Sequence, residues 1–243
     1  MSKLSAIGIF ILIIAGYFIF YKGWNNVTLS GTTVTETRSV KPFTKLKLDG
    51  VFKTIISQDG GPESVKITGD RNLQRAVVVS NEDDVLTIAT RSNMHMPGPS
   101  HIVVYVNIRQ LTDLSNSSVG AVESKGVLNM PALKLETDAV GKTKLQINTE
   151  HLTADLNSVG AIELSGTART AEISNNSVGK LNAYELVTET LDLKNDAVGA
   201  AEIYASKELT IDHRGVGAVH YKGGAKLKSL NDDGVGKVTK AED

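Results

Sequence analysis

Ser115–Glu123, SNSSVGAVE, carries a Val-Gly pair that returns six more times before the C-terminus. The pairs stand at Val119-Gly120, Val140-Gly141, Val159-Gly160, Val178-Gly179, Val198-Gly199, Val216-Gly217 and Val235-Gly236, in steps of 21, 19, 19, 20, 18 and 19 residues. A fixed period near nineteen is the mark of a chain that stacks one short unit on the next.

Aligned on Val, two columns are apolar. Three residues after it come Val122, Thr143, Ile162, Leu181, Ala201, Val219 and Val238, and five residues before it come Leu114, Leu135, Ala154, Ile173, Leu193, Ile211 and Leu230. Both columns are predicted to point inward. Apolar residues two apart, such as Leu191 and Leu193 or Ile162 and Leu164, have the period of a strand, whereas a helix needs three or four. Between the columns the chain is polar. Two residues before Val stand Ser117, Asp138, Asn157, Asn176, Asp196, Arg214 and Asp233, followed by Ser, Ala or Gly, a composition that makes a corner. Gly120, Gly141, Gly160, Gly179, Gly199, Gly217 and Gly236 fit a position that needs positive φ or close approach by the next coil. The fold is therefore expected to be all-β, a right-handed parallel β-helix, or solenoid, of ~19-residue coils.

With 243 residues and one repeat family, a single elongated domain is favoured. The net charge is −1 with acids and bases interspersed, which leaves no basic field to draw nucleic acid. Aromatic residues make up 5%, as suits a narrow interior filled by Val, Leu, Ile and Ala. The absence of cysteine excludes disulfides, thiol catalysis, cysteine metal sites and acylation on cysteine.

Leu4–Tyr21, LSAIGIFILIIAGYFIFY, is free of charge, bracketed by Lys3 and Lys22, and about long enough to cross a bilayer. Its bulky end, Tyr17 to Tyr21, lacks a small-residue cleavage site, so an uncleaved signal anchor is expected rather than a removed leader. The division that follows is a cytoplasmic stub at 1–3, a transmembrane segment at 4–21, a spacer at 22–40 and a solenoid domain at 41–240, with regular Val-Gly coils over 112–240. Within the domain, alternating apolar residues from Phe43 to Ile108 read as short strands. Asp49-Gly50, Asp59-Gly60-Gly61-Pro62 and Gly69-Asp70 mark turns between them. Asn72–Ala76 reads as a single helical turn.

The run Pro42–Arg91, with FTKLKLDGVFKTIISQDG, ESVKITGD, NLQ and DDVLTIATR, followed by the Val-Gly coils, resembles the auto-transporter adhesin, head GIN domain family. The resemblance extends from about Thr35 to Lys240. It implies a bacterial β-solenoid outside the cytoplasm; where that family repeats S-G-S-G-D, this chain puts Val before Gly.

Solenoids that cut polysaccharides need carboxylates or bases placed across the scissile bond. Glu123, Glu163 and Glu202 share one column, but Lys144, Asn182, His220 and Thr239 interrupt it, so it reads as a solvated file and no catalytic residue is assigned. The five histidines form no metal motif, and Met94-His95-Met96 beside Pro97 and Pro99 reads as a loop; no metal or cofactor is expected. The polar corner file, Ser117 to Asp233, is the candidate ligand surface, and its competing reading is a ladder of turn residues that satisfies the backbone.

The function expected is a non-enzymatic, membrane-anchored binding, adhesion or envelope-assembly module, with a glycan or an envelope protein as partner. The alternatives are a lyase or hydrolase acting on envelope polysaccharide, and a structural element that self-associates through its coil ends. The expected location is the bacterial envelope, single-pass, with the C-terminal domain outside. The charged tail, Lys237 to Asp243, is a candidate cap for one end.

Overall fold

A computed structural model of the chain describes residues 25–92, 94–98 and 101–242. The segment 4–21, expected to cross a membrane, lies outside them. Among the described residues no helix is long and apolar enough to span a bilayer.

The Val-Gly coils stack as a parallel β-solenoid. Each middle coil is almost one continuous strand, Val140–Leu156, Val159–Asn175 and Val178–Asn195, followed by Ala201–His213. Val140 pairs with Val159 and Val159 with Val178, and Gly141, Gly160 and Gly179 align in the same way, so the register of the repeat in sequence is the hydrogen-bond register in space. The expected inward columns are buried from Val122 through Val219 and from Leu114 through Ile211. Alternation along a strand sends every second side chain inward, and each apolar one buried stabilises the stack by roughly 1.5–3 kcal/mol.

Two further layers precede the first Val-Gly coil, and the chain fills them out of order. Lys45–Asp49 and Lys53–Ser57 form a coil with Asp49-Gly50 at its corner: Leu46 pairs with Leu114, Val51 with Val119 and Thr54 with Val122. On its other side the same coil pairs with Val85–Thr90 and Ile102–Asn107, which come later in sequence. The segment 45–57 is thus sandwiched between 85–107 and 113–125.

Antiparallel strands close this end. Ser64–Asp70 pairs with Ile102–Asn107 and with Thr33–Ser39, while Val77–Glu82 pairs with Val85–Thr90. Thr33–Ser39 falls in the stretch expected to be a spacer, yet it is zipped along its whole length to Ser64–Asp70, because its backbone completes the edge of the cap. The helical turn is Arg71–Gln74, N-capped by Asp70, with Leu73 buried. At the opposite end no such cover exists among the described residues. Lys226–Asp232 is exposed at every position, and Val238–Lys240, in the last coil, pairs with Val219–Lys222 of the coil before it.

Candidate functional site

The corner residues Ser117, Asp138, Asn157, Asn176, Asp196, Arg214 and Asp233 are all exposed and lie in one file along the stack. Their own backbone N–H groups are satisfied by main-chain carbonyls. The N–H of Asp138 donates to the carbonyl of Asn116 at 2.8 Å, that of Asn157 to Thr137 at 2.7 Å, that of Asn176 to Leu156 at 2.7 Å and that of Asp196 to Asn175 at 2.9 Å. The side chains of the file do not cap those groups. Asn157 donates to Asp155 at 2.9 Å, and Arg214 pairs with Asp196 at 2.9 Å.

One position back stands a buried column, Asn116, Thr137, Leu156, Asn175, Asn195 and His213, whose Asn and His side chains satisfy the interior of the corner. The Asn175 amide donates to Oδ1 of Asn195 at 2.8 Å, and Oδ1 of Asn116 accepts from the backbone N–H of Ser118 at 3.1 Å. A polar residue in a repeat reads as solvent-facing, which is why sequence reasoning passed over this column. Its signal was present nonetheless, since it stands two residues from the inward Leu114 to Ile211 column and strand alternation makes it inward too.

Val119, Val140, Val159, Val178, Val198, Val216 and Val235 form a second exposed file, between 41% and 70% exposed. The alternation that buries Leu114, Asn116, Ser118 and Val122 turns Val119 outward, so an apolar column faces water beside the polar one. Next to it runs a strip of bare backbone. Each repeat glycine has a φ between 134° and 142°, and a methyl added at Gly160 would run into the carbonyl oxygen of Gly141. A groove of about 320 Å³ lies on the outer face of the same strands, lined by Lys134, Glu136, Asp155, Glu172, Asp192 and Lys194 among others.

The carboxylates considered for catalysis are engaged by lysine. Glu123 pairs with Lys53 at 2.8 Å, Glu202 with Lys180 at 2.6 Å, and Glu163 with Lys142 at 2.7 Å and Lys144 at 3.3 Å. The hydrogen bond from Lys142, followed by that from Lys144 and the charge of both, outweighs burial and holds the Glu163 carboxyl below its ordinary range. A general acid needs the opposite shift. His213 is buried beside Asn195, His220 lies 2.7 Å from the Thr239 hydroxyl and His151 lies 2.8 Å from that of Thr170. Among the described residues no three potential ligands converge as a metal site.

Fold and corner together define a capped parallel β-solenoid with one regular exposed file of Val beside one of polar side chains. Residues 42–225 match the family described as "Putative auto-transporter adhesin, head GIN domain", and the chain belongs to that family. A "putative adhesin" from Bacteroides fragilis NCTC 9343 has the same fold at 23% identity, with a TM-score of 0.82 over 89% of this chain and 100% of that one. A "Putative lipid binding protein" from Parabacteroides distasonis ATCC 8503 is similar at 18% identity and a TM-score of 0.68, covering 88% of this chain and 100% of that one. A "putative adhesin" from Parabacteroides merdae ATCC 43184 is similar at 20% identity and a TM-score of 0.62, covering 88% and 99%. No curated protein matches the chain.

Proposed function

We propose that this protein is a non-enzymatic binding module of the bacterial envelope, with right-handed coils held outside the cytoplasm by segment 4–21 as a single-pass anchor. Its contact face is the Val-Gly corner. The observation that carries the reading is the in-register exposure of seven valines beside Ser117, Asp138, Asn157, Asn176, Asp196, Arg214 and Asp233. Scattered exposed valines are ordinary, but a continuous apolar file marks a surface that meets something. The file recurs at ~4.8 Å per coil, so it suits an extended ligand that repeats. A glycan strand has that chemistry, with its C–H faces against the valines and its hydroxyls toward Asp138, Asn157 and Asn176. The adhesin and lipid-binding descriptions of similar structures support a binding role, and the ion-paired Glu123, Glu163 and Glu202 weigh against a lyase or hydrolase.

The test is an array of envelope polysaccharide fragments probed with the detergent-solubilised full chain. Retention on a glycan is expected, and replacing Asp138, Asn157, Asn176 and Asp196 together by Ser should abolish it without lowering the melting temperature, since backbone hydrogen bonds and the buried side chains one position back hold the corner. Unchanged retention by that variant would remove the corner from the binding face. Release of a cleaved product by the wild type would replace the reading with an enzymatic one.

A further inference from the structure

The chain enters the fold along the antiparallel cap. Asn25–Asn26 pairs with Met94–His95, the carbonyl of Thr28 accepts from the Asn72 side chain at 2.9 Å, and that of Thr32 accepts from the Arg71 N–H at 2.9 Å. The helical turn Arg71–Gln74 puts Leu73 and Gln74 in the core, which sends Arg71 and Arg75, one turn apart, to the outside. With Arg38 they line a concavity of about 270 Å³. Arg91 lies beside it, donating through Nε to the carbonyl of Arg75 at 3.2 Å.

The acids of this patch are already engaged. Glu36 pairs with Arg38 at 3.1 Å, and the Asp70 carboxylate accepts from Ser30, Gly31 and Asn72. Among the described residues neither Arg71 nor Arg75 has a carboxylate partner. Glu82 and Asp84 stand at the far end of the hairpin that Arg75 and Arg91 flank, about 17 Å away, because Val77 pairs with Thr90 and Glu82 with Val85. On the coils, by contrast, Lys53, Lys142, Lys180 and Arg214 each face a carboxylate.

We propose that the cap is a docking surface for the phosphate headgroups of anionic phospholipid, so that the solenoid stands on its cap with Arg71, Arg75 and Arg91 against the bilayer. The choice of occupant follows from the chain. Only Lys22, Gly23 and Trp24 separate Tyr21, the last residue of the apolar run, from Asn25, a reach of at most about 14 Å when extended. The inference rests on the reading of segment 4–21 as the anchor, which brings this end to the headgroups. Guanidinium groups bind phosphate through paired N–H donors, and each one near an anionic surface strengthens the attachment. Leu29, 44% exposed between Thr28 and Ser30, adds an apolar side chain on the entering segment. The Val-Gly file then runs away from the bilayer along its length.

The chain has no cysteine, so one introduced thiol carries one fluorophore. The full chain is reconstituted in vesicles of phosphatidylcholine, alone or mixed with phosphatidylglycerol, that carry a spin-labelled headgroup as quencher. A label at Val78→Cys, on the cap, should be quenched strongly in the mixed vesicles and weakly in pure phosphatidylcholine. One at Ser229→Cys, roughly 40 Å up the stack, should be quenched in neither. Arg71→Gln with Arg75→Gln should leave the melting temperature unchanged and lower the ratio of docked to free cap by about fivefold for each arginine, and added salt should act in the same direction.

Equal quenching of the cap label in the two lipids would show that the tether alone holds it there, and would overturn the proposal with the anchor intact. So would equal quenching at Val78→Cys and Ser229→Cys, the mark of a solenoid lying on its flank. A cap label unquenched in both lipids would overturn it too; inorganic phosphate that raises the melting temperature of the wild type, but not of the double variant, would then assign the concavity to a free anion. Extraction of the chain from both kinds of vesicle by an alkaline wash would refute segment 4–21 as the anchor, and the inference with it.

Discussion

The side-chain amide nitrogen of Asn195 lies 3.1 Å from Nδ1 of His213 on the next coil, and both residues are buried. An amide N–H only donates, so Nδ1 accepts; Nε2, 3.0 Å from the carbonyl of Gly217, carries the proton it gives to that oxygen. Oδ1 of Asn195 meanwhile accepts from Asn175 at 2.8 Å. Three successive coils are therefore tied through their interior by one continuous polar chain, laid beside the apolar columns.

Asn195→Leu removes the acceptor of Asn175 and the donor to His213 at once, leaving two buried polar groups unpaired. The expected loss is about 2–4 kcal/mol in denaturant unfolding. Thr137 in the same column is the contrast, because among the described residues its Oγ1 has no hydrogen-bond partner. Thr137→Val keeps the shape and should be neutral or stabilising by ~1 kcal/mol. Equal losses in the two variants would show that the column acts by packing rather than by its hydrogen bonds.

The repeat glycines separate two costs that sequence alone merges. At Gly126, φ is 82° and a methyl would meet nothing within 4 Å, so Gly126→Ala should lose only the backbone strain of about 1–2 kcal/mol. At Gly160 a methyl meets both a φ of 137° and the Gly141 carbonyl of the coil below, which cannot yield without opening the ladder. Gly160→Ala should therefore cost more than Gly126→Ala by about 1–3 kcal/mol or fail to fold. Equal melting temperatures for the two variants would refute the tight stacking.

The coils were legible because their period is local: Val140, Val159 and Val178 can be aligned without knowing any contact, and the alignment is the register. The layer at 45–57 was not legible as a coil. It carries Phe52 where the repeats carry Gly, and its neighbours Leu86 and Leu114 lie 40 and 68 residues beyond Leu46, so the insertion is decided by long-range packing. The candidate face was half legible. The polar file was visible from composition, whereas the valine file was not singled out, although the alternation that buries Leu114 and Val122 on either side of Val119 places it outside.

Asp70 supplies the last prediction, because it joins the segment before Thr33 to the cap. Burial raises its pKa, but Oδ2 accepts from the backbone of Ser30 at 2.8 Å, the Ser30 hydroxyl at 2.9 Å and the backbone of Gly31 at 2.9 Å, and Oδ1 accepts from Asn72 at 2.9 Å; together they hold the carboxyl at about 2. A carboxyl whose pKa is depressed in the folded state contributes stability that is complete above its unfolded value of about 3.9 and is lost as pH falls toward the folded value. Asp70→Asn should therefore lower the melting temperature by a constant amount from pH 7 to 5, and that difference should shrink between about pH 4 and 2 as wild-type Asp70 takes up its proton. Proteolysis should follow the same course, with cleavage before Thr33 faster in Asp70→Asn at neutral pH, because the loop at Ser30 and Gly31 then loses its charged acceptor. A melting difference that stays constant down to pH 2 would mean that the carboxylate's charge plays no part in holding this segment to the cap.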